Sequence, residues 1–140
     1  MIDIKPFKGY FYNLEKVGSI DKVISPPWDV IDNELEKKLE SLSPYNVINL
    51  ISKNKSPEDV FQQFNKWINE KILINDENEC FYFIKHKFKF ENKEFQRDGF
   101  FALLKLDDFD KGNVIPHEMI FEKYSYNRYK LIEKCRANFS

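Results

Sequence analysis

SPEDVFQQFNKWINEKI, residues 56–72, carries the clearest secondary-structure signal in the chain. Ser56 is a favoured N-cap, Pro57 suits the first helical position, and Asp59 stands where a capping box needs its acceptor. The apolar side chains then recur every three or four residues: Val60, Phe61, Phe64, Trp67, Ile68 and Ile72. This stretch therefore predicts an amphipathic helix from Ser56 to about Ile72, with its apolar stripe packed into a core.

Downstream of this helix, two extended segments predict a β-hairpin. In the second half of residues 80–90, lysines on one face alternate with mostly apolar side chains on the other. Residues 95–106 are the expected partner strand, and residues 91–94 form the connecting loop. Gly99, inside the partner strand, indicates a bulge or a close approach of two backbones.

The remaining segments complete an α+β fold, a mainly antiparallel sheet with packed helices. A chain of 140 residues with 42% hydrophobic residues is large enough to bury a core, which predicts a single domain over residues 1–140. The other expected elements are two short strands, residues 22–24 and 47–51, and two helices, from residue 32 or 33 to 42 and from residue 126 or 127 to about 137.

A rigid loop is predicted by the run Ser25-Pro26-Pro27-Trp28-Asp29-Val30-Ile31. Each proline fixes its own φ and restricts the residue before it, so the backbone is stiff where it presents Trp28 and Asp29. A stiff loop carrying an aromatic ring and a carboxylate is a common ligand-holding device. The structural alternative is a connector in which Trp28 fills the core and Asp29 caps the next helix.

A second candidate site is the pair His117-Glu118, which follows Pro116. Histidine titrates near neutral pH and glutamate can act as a base, so the pair is suited to proton transfer. Arg128 follows in the last predicted helix, and a guanidinium group suits phosphate or carboxylate. A purely structural role for the pair is the alternative. The other histidine, His86, lies on the apolar face of its strand and is expected to be a buried, satisfied side chain.

Composition excludes several classes of protein. The 22 basic and 23 acidic residues are interspersed and sum to a net charge of −1, so no basic surface for nucleic acid is expected. No apolar run approaches the ~20 residues that a membrane helix needs, and the N-terminus has no signal-peptide pattern, which predicts a cytoplasmic protein. Cys80 and Cys135 fit no metal-binding spacing, and we expect two buried free thiols and no metal site.

Four short motifs in a fixed order resemble the DUF1015 family of uncharacterised cytoplasmic proteins from bacteria and archaea. The motifs are Lys5-Pro6-Phe7-Lys8-Gly9, the run at residues 25–31, Ser43-Pro44-Tyr45-Asn46-Val47-Ile48 and Ile115-Pro116-His117-Glu118. Each motif alone is weak, whereas the ordered set is specific and spans essentially the whole chain. Family members are longer and carry an Asp-Gly-His-His-Arg run in their C-terminal part. The sequence has no such run, so it resembles the N-terminal portion of a member.

The resemblance implies a function through that C-terminal part, which is similar to motifs of the ParB/sulfiredoxin-like superfamily and its free-serine kinases. It implies an incomplete domain of that type, and, in full-length relatives, phosphoryl transfer from ATP or ADP with Mg²⁺ to a small hydroxyl metabolite such as free serine. Asp29 or Glu118 would then orient or deprotonate the acceptor, while His117 and Arg128 would hold phosphate beside Pro27 and Trp28.

Two substitutions leave a second function open. Ile120 stands where the family has threonine, and Asn127 stands where it has aspartate before Arg128. These changes remove a hydroxyl and a carboxylate, and they favour the alternative of a non-catalytic module that binds a ligand or a protein. On either hypothesis, surface that normally packs on the absent part is expected to promote self-association.

Overall fold

The computed structural model describes residues 2–115 and 122–139, and within residues 122–125 it describes the backbone alone. The strands are β1 Ile4–Lys5, β2 Tyr10–Tyr12, β3 Leu73–Asn75, β4 Tyr82–Phe90, β5 Lys93–Phe101 and β6 Leu103–Leu104. The α-helices are α1 Leu14–Val17, α2 Asn33–Leu42, α3 Ile48–Ile51, α4 Pro57–Asn69 and α5 Glu122–Cys135. Single 3₁₀ turns span Ile20–Lys22, Trp28–Val30 and Phe109–Lys111. These elements confirm the α+β class.

The cap of α4 confirms the prediction made from its sequence. The Ser56 hydroxyl accepts a hydrogen bond from the Asp59 amide at 3.1 Å, and the Asp59 carboxylate accepts one from the Ser56 amide at 3.3 Å. The helix ends at Asn69 rather than Ile72, because Lys71 takes a positive φ of 57°. The amides of Lys71 and Ile72 then bond back to the carbonyls of Ile68 and Trp67, which is a Schellman ending.

Two compact units divide the chain. The helical unit comprises residues 11–74 and 120–140, and the hairpin unit comprises residues 1–10 and 75–119. The core of the helical unit is built around Trp67, which is 1% exposed. The buried residues of its main cluster are Leu50, Val60, Phe64, Trp67, Ile72, Leu73 and Cys135. The single domain over residues 1–140 stays a prediction.

Two short strands expected in the helical unit are absent, and helical turns stand in their place. Residues 20–22 form a 3₁₀ turn where a strand was expected at 22–24, and residues 48–51 form α3 where a strand was expected at 47–51. The reason at α3 is the buried Asn46, whose side-chain oxygen accepts from the Ile48 amide at 3.0 Å and starts a helical turn. A short apolar run by itself does not distinguish strand from helix.

The hairpin unit contains the predicted pair of long strands. β4 and β5 pair antiparallel, and a two-residue turn joins them at Glu91 and Asn92, whose φ angles are 45° and 62°. The loop is thus two residues rather than residues 91–94. Gly99 pairs directly with Ile84, and a Cβ at Gly99 would meet the Ile84 side chain at 3.4 Å. The ladder runs through this pair without a bulge and the contact is an ordinary one with a side chain, so both roles predicted for Gly99 are wrong.

The strands form three small sheets rather than one larger one. β1 pairs with β6, β2 with β3 and β4 with β5, and each of these sheets has two strands. No helix in the described ranges is both long and apolar enough to cross a membrane.

Burial was predicted for the side chains of Cys80, Cys135 and His86, and the structure confirms it for Cys135 alone. Cys135 is buried, and burial raises the pKa of its thiol, whereas Cys80 is exposed. His86 is exposed on β4, so the prediction of a buried histidine is wrong. The reason at His86 is that β4 belongs to a two-stranded sheet whose residues are almost all exposed, whereas Cys80 precedes β4 and forms a backbone bridge with Phe7.

Candidate ligand site at Trp28

The Pro26-Pro27 segment leads into one 3₁₀ turn. Pro27 has φ −53° and ψ 141°, and its carbonyl accepts a hydrogen bond from the Val30 amide at 3.2 Å. Ile31, immediately after the turn, is buried and anchors it to the helical unit. The turn leaves Trp28 half-buried, while Pro27 and Asp29 are exposed. The rigid presentation predicted for this loop follows from these restraints.

The residues just before the loop are held by Asn46, which is 0% exposed. Its side-chain amide donates to the carbonyls of Lys22 and Ile24, at 2.9 and 3.0 Å. The Val47 amide also donates to the carbonyl of Val23 at 2.7 Å. A buried amide with all these partners satisfied fixes the backbone on which the Trp28 loop begins.

Two cationic side chains approach the Trp28 ring. The Lys53 ammonium lies 4.7 Å from the ring centroid, and the Arg128 guanidinium carbon lies 5.7 Å from it. These distances are in the range of cation–π contacts, each of which contributes about 0.5–1 kcal/mol near the surface. The ring therefore fixes two positive groups next to one exposed loop.

Both cations keep capacity for a ligand. Arg128, half-buried on α5, donates from Nη2 to the Phe139 carbonyl at 3.3 Å, its sole hydrogen bond to the part of the chain that the structure describes. A guanidinium group has five N–H donors, so most of them remain available. Among the described side chains, those of residues 2–115 and 126–139, neither Arg128 nor Lys53 has an ion-pair partner.

The part of the structural alternative that has Asp29 cap the next helix is wrong. Asp32, not Asp29, caps α2, since its carboxylate accepts from the Leu35 amide at 2.8 Å. Trp28 belongs to neither buried cluster of the helical unit. An exposed carboxylate thus follows directly after a ring that holds two cations.

The predicted site residues are brought together only in part. Trp28 and Arg128, 100 positions apart in sequence, are in contact. His117, Glu118 and Ile120 lie outside the described residues, so their predicted role stays a prediction. Asn127 is exposed on α5, beside Arg128 in the sequence.

Lys53 is the member of this site that sequence reasoning missed. It lies in Lys53-Asn54-Lys55, one of many lysine-containing stretches, and no local pattern distinguishes it. Its position depends on α3, which replaces the strand that the sequence predicted there. Predicting Lys53 as part of this site would have required assigning residues 48–51 as a helical turn.

No group of three or more His, Cys, Asp or Glu residues suited to a metal ion occurs in the described ranges. The acidic turn at residues 107–112 is paired internally, because Asp107 accepts from Lys111 and Asn113, both at 2.9 Å. These hydrogen bonds lower the pKa of Asp107.

Comparison with known proteins identifies the family. A family model described as "Protein of unknown function (DUF1015)" matches residues 4–140. Searches of curated proteins and of solved structures found no match. Since the matched range covers nearly all of the sequence, the chain belongs to the DUF1015 family.

Proposed function

We propose that the chain binds a phosphate-bearing small molecule of the nucleotide class at the Trp28 site. The observation that carries this proposal is the approach of Lys53 and Arg128 to one ring, at 4.7 and 5.7 Å. Neither cation has a carboxylate partner among the described side chains, so both positive charges remain available to an anion. A phosphate group satisfies both, because guanidinium binds its oxygens as a fork and ammonium binds them as a point charge.

Asp29 adds a carboxylate to a site that otherwise contains two cations and an aromatic ring. Its exposed carboxylate follows Trp28 directly, within the same 3₁₀ turn. A carboxylate there is suited to hold Mg²⁺ on a bound nucleotide or to accept a proton from a hydroxyl group. This combination of cations and a carboxylate supports ATP or ADP with Mg²⁺ as the ligand.

The finer proposal is phosphoryl transfer to a small hydroxyl metabolite such as free serine. The hydroxyl oxygen attacks the γ-phosphorus of ATP, the bond from that phosphorus to the ADP oxygen breaks, and Asp29 or Glu118 takes the hydroxyl proton. The similarity of free-serine kinases to the C-terminal run of longer family members, which this sequence lacks, motivates this step, and the contact of Arg128 with the ring that precedes Asp29 supports it. The alternative, a non-catalytic ligand- or protein-binding module, is favoured by Ile120 and Asn127.

Calorimetric titration of the 140-residue chain with ATP, ADP and inorganic phosphate, each with Mg²⁺, tests the binding proposal. We expect Arg128→Gln and Lys53→Gln each to weaken ATP binding about tenfold, since each removes a charge-assisted contact. Arg97→Gln is the matched control, because Arg97 also lies over an aromatic ring, that of Phe88, at 5.9 Å. Absence of binding, or equal weakening by the control, would contradict the proposal.

The finer proposal needs a separate measurement, the formation of ADP and a phosphate ester from ATP and serine. We expect Asp29→Asn to lower this rate by at least about tenfold while ATP still binds, because the amide accepts no proton. Binding of ATP without transfer to serine or related hydroxyl metabolites would exclude the kinase and leave the ligand-binding module.

A further inference from the structure

The outer edge of β4 is open in the described part of the hairpin unit. β4 has β5 as its one neighbour in a two-stranded sheet, and almost all residues of both strands are exposed. A two-stranded ribbon is at best marginally stable in water, and an open edge presents unpaired N–H and C=O groups to another strand. The open edge of β4 can therefore accept a further strand.

The turn determines which residues form that edge. In a two-residue hairpin, the pair that closes the turn exchanges two hydrogen bonds, and here this pair is Phe90 and Lys93. Alternate pairs then point their backbone groups outward. The outward-facing pairs are Lys89 with Glu94, Lys87 with Gln96, Lys85 with Asp98 and Phe83 with Phe100.

The two outer edges of the ribbon differ in charge. The β4 edge carries Lys85, Lys87 and Lys89, and the β5 edge carries Glu94 and Asp98. All five side chains lie on one face, because they alternate with residues of the opposite face. Lys89 and Glu94 already approach to 3.4 Å within the hairpin, which shows that these positions can form ion pairs.

These charges discriminate among the ways in which two copies could pair. Pairing β4 with β4 brings lysines together, and pairing β5 with β5 brings carboxylates together, and both arrangements are destabilising. Pairing β4 with β5 brings lysines opposite carboxylates. It also extends the opposite face, where Phe88 and Phe95 stack at 5.6 Å between ring centroids.

We propose that the chain self-associates head to tail, with β5 of one copy added antiparallel to the outer edge of β4 of the next. The register is the one that the hairpin already uses, with Lys85 facing Asp98 and Lys89 facing Glu94. The contact is heterologous, so it builds chains or closed rings rather than two-fold dimers. It is independent of the Trp28 site, which lies in the helical unit.

Sedimentation velocity over a range of concentrations tests this with the full 140-residue chain. We expect the unaltered chain to form species larger than a dimer, and high salt to weaken them. Lys85→Glu, Lys87→Glu and Lys89→Glu combined, or Glu94→Lys and Asp98→Lys combined, should each weaken association about tenfold or more. The matched control exchanges three exposed lysines of the helical unit, Lys22, Lys37 and Lys38, for glutamate.

Mixing separates the proposal from a simple loss of folding. An equimolar mixture of the two charge-reversed variants should associate again, because each supplies the edge that the other needs. A variant with all five exchanges should associate like the unaltered chain. A monomer at every concentration, association that charge reversal leaves intact, or an effect as large from the control would overturn the proposal.

Discussion

The helical unit and the hairpin unit depend on different kinds of interaction. Every residue that is buried in the described ranges lies in the helical unit, although the hairpin unit contains many of the aromatic residues. In the helical unit, apolar residues at helical spacing converge on Trp67. In the hairpin unit, strand alternation divides the apolar residues between two faces, so neither face of a two-stranded ribbon can bury itself.

A cluster of polar contacts in the hairpin unit is centred on Tyr82. The Tyr82 hydroxyl accepts from the Gly9 amide at 2.6 Å and donates to the Asp76 carboxylate at 2.6 Å. Burial and the hydrogen bond from Tyr82 to Asp76 raise the pKa of the Tyr82 hydroxyl. The comparison teaches that the same aromatic content stabilises a unit through packing only where the local geometry lets side chains converge.

The largest expected effect compares one aromatic side chain from each unit. Trp67→Ala should lower the free energy of unfolding by about 3–5 kcal/mol, because it leaves a cavity among buried side chains. Phe83→Ala should change it by less than ~0.5 kcal/mol, because Phe83 is 84% exposed. Urea unfolding followed by circular dichroism, at a concentration where the chain is monomeric, measures both.

The Phe83 result can also contradict the contrast between a buried helical core and an exposed hairpin. A loss above ~2 kcal/mol for the monomeric Phe83 variant would mean that the hairpin faces are covered in solution. Leu106→Ala is the matched control in the hairpin unit, since Leu106 is 89% exposed and lies outside β4 and β5.

Sequence patterns predicted the elements whose signals are local. The cap and stripe of α4 lie within residues 56–72, and the alternation of β4 lies within a single strand, so neighbouring residues suffice to define them. The prediction at α3 was wrong because its helical turn depends on the side chain of Asn46, and a short apolar run fits a strand or a helix equally well. Two of the three small sheets, β1 with β6 and β2 with β3, likewise depend on pairings between segments distant in sequence.

The candidate site also has a part that local sequence predicts and a part that only the fold brings together. The rigid Trp28 loop follows from Pro26 and Pro27, which act on their own backbone and on the residue before them. The contact between Trp28 and Arg128 joins positions 100 residues apart, and motif resemblance alone indicated Arg128. Lys53 had neither a local signal nor a motif, so only the fold brings it to the ring.

A smaller effect, on the dependence of stability on pH, is expected from the helical unit. Tyr12 is half-buried, and burial raises the pKa of its hydroxyl well above the ordinary value of about 10. The unfolded chain therefore releases this proton at lower pH than the folded chain does. The stabilising contribution is complete below pH ~10 and is lost as pH rises through the folded pKa, so the free energy of unfolding should fall above pH ~10.

Tyr12→Phe tests this expectation. The variant loses the hydrogen bond from the Tyr12 hydroxyl to the Tyr45 carbonyl, 2.8 Å long, which should cost about 1 kcal/mol at pH 7. Its stability should also fall less steeply above pH ~10, as urea unfolding at pH 7–11 would measure. Tyr126→Phe, at an exposed position, should keep the slope of the unaltered chain. An equal slope in the Tyr12 variant would refute the assignment.

The smallest effect should come from the turn of the hairpin unit, where local geometry rather than a core is the limiting factor. Glu91 and Asn92 both have positive φ, which a type I′ turn requires and which asparagine and glycine adopt more readily. Glu91→Asn with Asn92→Gly should stabilise the ribbon by about 0.5–1 kcal/mol and slow hydrogen exchange of β4 and β5 amides about two- to fivefold. Exchange in α4 should not change, because that helix depends on the Trp67 core. Asp110→Asn, in another exposed turn of the hairpin unit, is the control and should leave both rates unchanged. Slower exchange in α4 as well would mean that the two units unfold together and that the contrast between them does not extend to their stability.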